Sequence, residues 1–110
     1  MTRGLNFPKE FLSRYQKIIP EFDKFVEILK VPLIPSLRIN TLKAPKEKIF
    51  AELSSLDLEP IPWCNDGYYV KNQLNLGSLE IHKQGLIYLQ EATSMLPSII
   101  LDPKPQEKIL

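Results

Sequence analysis

The chain has 110 residues, of which 44% are hydrophobic and 25% charged, and its formal net charge is +1. This composition is typical of a folded globular domain and excludes a disordered chain. No apolar run approaches the roughly 20 residues that span a bilayer, and the polar N-terminus lacks a secretion signal. One cysteine, Cys64, cannot form an internal disulfide, and with only His82 beside it a structural zinc site is excluded. These features predict a cytoplasmic protein with no membrane partner and no metal.

The small net charge conceals an asymmetry between the two halves of the chain. Residues 1–48 contain 10 Lys/Arg and 5 Asp/Glu, whereas residues 49–110 contain 4 and 8. A basic half can attract phosphate groups. The same difference also arises in proteins without a charged partner, so both interpretations stay open.

Residues 1–35 are predicted to form a helical arm. Pro8 suits the start of a first helix, which Pro20 ends. A second helix is predicted over residues 21–30, because apolar residues fall on one helical face: Phe22, Phe25, Val26 and Leu29.

The next segment predicts a strand, a helix and a hairpin. Side chains alternate between two faces over the predicted strand Ser36–Leu42, which places Arg38 and Asn40 on the same face. Pro45 opens a helix, and its apolar side is formed by Ile49, Phe50, Leu53 and Leu56. Two prolines make Leu58–Pro62 a short edge strand. A turn at 63–67, with its Asp-Gly pair, then leads to a returning strand at 68–70.

The last third of the chain is less regular. Residues 74–83 predict a helical turn followed by a loop. The apolar run 86–89 predicts a buried strand, and residues 91–101 predict a helix. Pro97 fits that helix only if it begins near Thr93 or Ser94, either of which would cap it. Residues 102–110 predict a linker and the opening of another strand at 108–110.

The order of these elements predicts an α+β fold. Two N-terminal helices precede residues 36–101, a small RNA-recognition-like antiparallel sheet of β-α-β-β-α-β order with helices on one face. Sheets of this kind can bind RNA through exposed aromatic residues. Tyr68, Tyr69 and Tyr88 are the candidates, although a position in the core is the alternative for each of them.

Catalytic signatures are scarce in this sequence. The glycines at 4, 67, 77 and 85 are isolated, so there is no glycine-rich phosphate loop. His82 has no acid or nucleophile at a motif spacing. Cys64 has no adjacent base or cation that would activate its thiol. Structural roles are therefore predicted for both residues, and no catalytic residue is assigned.

Four segments in the same order resemble motifs of the Nop/Sun family of RNA 5-methylcytosine methyltransferases. Ser36–Lys43 is similar to that family's Ser-Leu-Arg-Val-Asn-Thr-Leu-Lys strand, and Pro62–Tyr69 to its Pro-Trp-Cys-x-x-Gly-Phe/Tyr-Tyr turn. Gly85–Pro97 resembles its Gly-x-x-Tyr-x-Gln-Glu-x-x-Ser-Met-x-Pro segment, and Phe7–Tyr15 resembles its N-terminal helix. Each motif alone is weak, but together they cover nearly the whole chain.

The resemblance implies an N-terminal domain with an RNA-recognition-like fold that packs against a Rossmann-type domain binding S-adenosylmethionine. That domain's Asp-x-Cys-Ala-Ala-Pro-Gly loop and the family's two catalytic cysteines do not occur in these 110 residues, and Cys64 matches neither cysteine. Residues 102–110 are interpreted as a linker and the truncated first strand of that missing domain. We therefore expect this chain alone to bind no S-adenosylmethionine and to be inactive.

The matched positions give the candidate site residues. Arg38 and Asn40 can hold a phosphate or a base edge, although Arg38 could instead support the neighbouring domain. Lys43 and Lys46, with Lys48, either contact phosphates or form a solvated face. By analogy with the family, three residues border the catalytic cleft, with helix capping by Ser94 and domain packing as the alternative: Gln90, Glu91 and Ser94.

The first functional hypothesis is an N-terminal domain that binds and positions RNA, either tRNA or rRNA, for a cytosine-5 methyltransferase whose catalytic domain lies outside this chain. A second hypothesis is a free-standing RNA-binding or accessory module that docks on a separately encoded catalytic chain. A third is a degenerate relic without activity. The sequence favours the first hypothesis.

Overall fold

A computed structural model describes residues 6–72 and 75–110 of the chain. It divides into two compact units, residues 1–33 and residues 34–110. Each unit has its own packing and is described separately.

The first unit contains two helices, α1 (Lys9–Gln16) and α2 (Phe22–Leu29), as the sequence predicts. Aromatic rings hold the unit together: the ring centroids of Phe11 and Tyr15 are 4.6 Å apart, and those of Tyr15 and Phe25 are 6.0 Å apart. Neither 9–16 nor 22–29 includes a fully buried residue. Contacts between half-exposed aromatic rings therefore hold this unit together.

The second unit contains an antiparallel sheet whose strands are β1 (Ser36–Ile39), β2 (Leu58–Ile61), β3 (Cys64–Val70) and β4 (Ile87–Leu89). Its spatial order is β2-β3-β1-β4. Helix α3 (Lys46–Glu52) connects β1 to β2, and α4 (Glu80–Lys83) precedes β4. The split β-α-β arrangement, with β3 inserted between β1 and β2, confirms the predicted α+β fold.

One face of the sheet carries the larger core. Leu37 and Ile39 of β1 point to this face, where Ile49 of α3 and Ile81 of α4 cover them. Leu37 lies opposite Tyr68 and Leu89 in the neighbouring strands, which places those side chains on the same face. Burial of these apolar side chains is the main source of the unit's stability.

Helices α3 and α4 lie on the face of the larger core, and the C-terminal helical segment covers the other, second face of the sheet. The segment consists of a 3₁₀ helix at Ala92–Met95 followed by α5 (Leu96–Leu101). A second core forms there from Ile61, Cys64, Ala92 and Met95. The indole Nε1 of Trp63 donates to the carbonyl oxygen of Ala92 at 2.8 Å and anchors this segment.

Several boundaries differ from the predictions. Strand β1 ends at Ile39, so Asn40 lies just beyond it. The hairpin turn is at residues 62–63, and Asp66-Gly67 lies inside β3. The run 86–89, predicted as a buried strand, contributes β4 at the edge of the sheet. The predicted helix at 91–101 is divided between the two helical pieces above, and Met95, not Thr93 or Ser94, is the N-cap of α5.

Two remaining segments complete the description. Residues 75–83 form a 3₁₀ helix at Leu76–Ser78 and then α4, whereas the predicted start at residue 74 lies outside the described residues. Residues 102–110 contain a turn and no strand. Their predicted role as linker and first strand of a further domain stays a prediction. No helix in the described part of the chain is long and apolar enough to cross a membrane.

Candidate functional site

A cleft of about 500 Å³ lies on the second face of the sheet, between the end of β1 and the C-terminal helical segment. It brings together four of the residues that the sequence singled out, although they lie up to 56 positions apart in the chain: Arg38, Asn40, Gln90 and Ser94. Other lining residues include Leu42, Asp66, Tyr88 and Ser98. Clefts of this size are typical of ligand sites.

Arg38 lines this cleft from the second face of the sheet. Its backbone pairs with Gly67 on one side and Tyr88 on the other, and its side chain is half-buried. Its Nη1 donates to Ser98 Oγ at 2.8 Å, and that hydroxyl donates to the Met95 carbonyl oxygen at 3.1 Å. This contact uses one of the five N–H donors of a guanidinium. Helix α5 therefore holds the side chain in place while other donors stay available for an anion.

Asn40 lines the same cleft but also has a structural contact. Its Nδ2 donates to the Gly85 carbonyl oxygen at 2.9 Å, and its backbone N–H donates to the Leu86 carbonyl oxygen at 2.9 Å. Lys43 lies in the turn that follows, where its Nζ donates to the Gln84 carbonyl oxygen at 3.3 Å. Both residues thus attach the turn after β1 to the loop before β4. Lys43 is exposed and does not line the cleft.

Lys46 is separated from the other predicted contacts. Its Nζ donates to the Asn65 carbonyl oxygen at 2.7 Å, forms an ion pair with Asp66 Oδ1 at 3.2 Å, and lies 5.5 Å from the ring centroid of Tyr68. Hydrogen bonding to Tyr68 and then to Asp66 raises the pKa of Lys46 above its ordinary value of 10.5, although burial opposes the shift. Lys46 therefore compensates the Asp66 carboxylate that lines the cleft.

Gln90, Glu91 and Ser94 have different roles at the junction after β4. Gln90 Nε2 donates to the Ser94 carbonyl oxygen at 3.0 Å, and both residues line the cleft. The Glu91 carboxylate accepts hydrogen bonds from the Thr93 hydroxyl and, at 3.0 Å, from the Thr93 backbone N–H. These bonds lower the pKa of Glu91 below its ordinary value of 4.5. Glu91 therefore caps the 3₁₀ helix and lies outside the cleft lining.

The three candidate tyrosines occupy three different environments. Tyr68 is buried in the larger core, and Tyr69 is half-buried against the second core. Tyr88 is 63% exposed and lines the cleft. Tyr68 therefore lies in the core, which was the alternative to an exposed position. Among these three tyrosines, Tyr88 is the one that lines the cleft.

Several lining residues were not predicted to belong to a site, among them Leu42, Asp66 and Ser98. Leu42 is 97% exposed, and its apolar side chain carries no sequence signal for a site. Asp66 was interpreted as a turn residue. Ser98 lies four residues after Ser94 within the predicted helix, so helical spacing could have placed both on one side.

Comparison with known proteins gives consistent matches. A family model described as the N-terminal domain of 16S rRNA methyltransferase RsmF matches residues 7–92. The tRNA (cytosine(49)-C(5))-methyltransferase of Pyrococcus abyssi is 46% identical over 105 residues, which cover 93% of this chain and 33% of the relative. The ribosomal RNA small subunit methyltransferase F of Shewanella loihica is 39% identical over 106 residues, covering 90% of this chain and 22% of the relative.

A solved structure agrees with these matches. The crystal structure of a methyltransferase homolog protein from Pyrococcus horikoshii superimposes with a TM-score of 0.72 at 32% identity, and the match covers 91% of this chain and 34% of that one. The chain thus spans about a fifth to a third of the length of these relatives. Among residues 6–72 and 75–110, no group of His, Cys, Asp and Glu could hold a metal ion.

Proposed function

Because this chain is an N-terminal domain of the RsmF family of RNA cytosine-5 methyltransferases, we propose that its cleft binds RNA and positions it for a catalytic domain. The relatives are named for methyl transfer to cytosine-49 of tRNA or to small-subunit ribosomal RNA. The substrate of this domain is therefore tRNA or rRNA in this proposal, and its place of action is the cytoplasm.

The observation that carries the proposal is the setting of Arg38. Its guanidinium is fixed by Ser98 at 2.8 Å and lines an open cleft beside the amide of Gln90. A guanidinium binds phosphate through charge-assisted and often bidentate hydrogen bonds. The ion pair of Lys46 with Asp66 reduces the repulsion that an unpaired carboxylate would exert on an RNA phosphate.

Methyl transfer itself is assigned to another part of the protein. In this family the methyl donor is S-adenosylmethionine, but these 110 residues contain no glycine-rich loop for such a cofactor and one cysteine, which is buried. The residues described here could bind and orient RNA. We expect no transfer of label from S-adenosylmethionine to RNA by this chain alone, and labelled RNA in a filter assay would contradict this.

The proposal is tested by titrating RNA with the purified chain and with Arg38→Ala at several salt concentrations. Loss of a charge-assisted phosphate contact should weaken binding about tenfold, since such hydrogen bonds contribute about 1.5–3 kcal/mol. The slope of log affinity against log salt should fall by about 0.7, the value for one phosphate on a single strand.

Lys83→Ala is the matched control, because it removes the same charge from an exposed residue of α4, on the other side of the sheet. Its affinity should stay within about twofold of the parent, as one surface charge outside the site changes binding little. Arg38→Lys should retain part of the affinity, because the charge remains but the planar donor array is lost. Equal losses of RNA affinity for Arg38→Ala and Lys83→Ala would indicate nonspecific electrostatic attraction and contradict the proposal.

A second candidate function is docking on a separately encoded catalytic chain. Helix α5 exposes Ile100, at 77%, and Leu101, at 55%. Exposed apolar residues that neighbour one another favour a protein interface. Sedimentation of this chain with the catalytic portion of the Pyrococcus abyssi relative would detect such a complex, and Ile100→Glu should weaken it. No complex with the parent chain would argue against docking in trans.

A further inference from the structure

The mouth of the cleft carries two exposed apolar side chains. Leu42 is 97% exposed and Tyr88 is 63% exposed, and both line the same cleft as Arg38. Leu42 comes from the turn after β1, whereas Tyr88 comes from edge strand β4. Exposure of one such residue is ordinary. Two of them around a guanidinium form a mixed apolar and cationic surface.

The turn that carries Leu42 is held by hydrogen bonds on both sides. Asn40 bonds through its backbone N–H to Leu86 and through its side chain to Gly85, each at 2.9 Å. The backbone N–H of Lys43 closes the turn by donating to the Asn40 carbonyl oxygen at 3.1 Å. The backbone at Leu42 is thus held by the turn, so a ligand would have to order only the side chain.

Tyr88 is positioned by the sheet. It pairs with Arg38 in the register of β1 and β4, so both side chains emerge on the second face from adjacent strands. Directly opposite residues in an antiparallel pair have Cβ atoms about 4.5–5.5 Å apart. A group that contacts the Tyr88 ring is therefore within reach of the Arg38 guanidinium.

We propose that Tyr88 and Leu42 form the apolar contacts for one unpaired RNA base, while Arg38 binds a phosphate adjacent to it. The cleft then selects single-stranded over duplex RNA. This inference rests on the proposed function and adds the class of RNA that the cleft takes.

Base geometry explains the selection. In an A-form duplex the faces of the bases are stacked on one another, and the protein meets mainly phosphates and 2′-hydroxyls. In a single strand a base can leave the stack and place its face on an aromatic ring, a contact that tolerates any sequence. Tyr88 and Leu42 offer surface for a base face, whereas Arg38 alone could bind the phosphates of either form.

The test compares the binding of this chain to a single-stranded oligonucleotide of about 12 residues with its binding to the same strand in a duplex. Tyr88→Ala should weaken single-strand binding about tenfold, and Leu42→Ala several-fold, with no change in the salt slope because no charge is lost. Tyr88→Phe should retain the affinity, since the ring remains. Duplex binding should be unchanged by all three substitutions.

Ile100→Ala is the matched control, as it shortens another exposed apolar side chain that does not line the cleft. Its affinity for the single strand should equal that of the parent. Thermal unfolding of each variant identifies any loss of folding, which is unexpected because Tyr88 and Leu42 are exposed.

The outcomes separate this inference from the proposed function. Equal affinity for single strand and duplex, with Tyr88→Ala unchanged and Arg38→Ala weakened, overturns the base contact and leaves the RNA cleft in place. Absence of binding to either RNA overturns the proposed function itself. If Tyr88→Ala instead weakens only a complex with the catalytic portion of a relative, these side chains contact protein and the inference is wrong.

Discussion

At the scale of single residues, Ser98 holds Arg38 at the cleft, whereas Asn40 attaches the turn after β1 to Gly85. Strand periodicity places Arg38 and Asn40 on one face, and both do line the cleft. Their different contacts could not be predicted, since Asn40 bonds to Gly85 and Arg38 to Ser98, each distant in sequence. Lys46 was predicted to contact RNA from its charge alone, yet the fold pairs it with Asp66. Whether any of these residues contacts RNA stays a prediction.

A pH titration tests the residue-scale account of Glu91. Its pKa is lowered by the bonds from Thr93, so the cap contributes stability above pH 4.5 and loses it as the pH falls through the lower folded-state value. The Thr93 amide resonance should therefore shift with a midpoint below 4.5 in an NMR titration. In Glu91→Gln this transition should disappear. A midpoint at or above 4.5 in the parent would show that the cap is not formed.

At the scale of elements, the order of strands and helices could be predicted, but which helix packs on which face of the sheet could not. Alternation and proline positions indicate β1, α3 and β2 correctly, because they depend on local patterns. The Asp-Gly pair predicts a turn, whereas Gly67 lies in β3 beneath Met95. The neighbouring residues alone do not distinguish a glycine required for close packing from one required for a turn.

The packing of β3 against the C-terminal segment gives a stability prediction. A Cβ added to Gly67 would lie 2.6 Å from Met95 Sδ and 3.0 Å from Cys64 Cβ. Gly67→Ala should therefore lower the free energy of unfolding by about 1–3 kcal/mol in urea titrations, the usual cost of overpacking. Gly77→Ala is the control, because its nearest neighbour is 3.9 Å away. Equal stability of the two variants would show that the segment does not pack there.

At the scale of the whole molecule, the strands and both cores belong to residues 34–110. The boundary near Pro35 was predicted from the extended, proline-containing link after the second helix. The assignment of this position as a domain boundary stays a prediction, and so does the boundary between residues 101 and 102. The sequence did not predict that a helical segment covers the second face. That segment consists of a 3₁₀ helix and α5, which together resembled one helix in the sequence.

Removing residues 1–33 tests the independence of the second unit. Residues 34–110 should unfold cooperatively, because they contain the sheet and both of its cores. Trp63 is the single tryptophan and bonds to Ala92, so its fluorescence reports packing of the C-terminal segment. The emission maximum of the shortened chain should match that of the parent. A red-shifted maximum with a gradual transition would show that the sheet needs the first unit.

The central claim, that RNA occupies the cleft on the second face, is tested most directly by NMR. Adding a single-stranded oligonucleotide to the isotope-labelled chain should perturb amide resonances around the cleft, at Arg38, Leu42, Tyr88 and Ser94. The resonance of Ile49, in the part of α3 that packs on the opposite face, should stay unchanged. Perturbations confined to α3 or to residues 6–33, with the cleft resonances unmoved at saturation, would contradict the account.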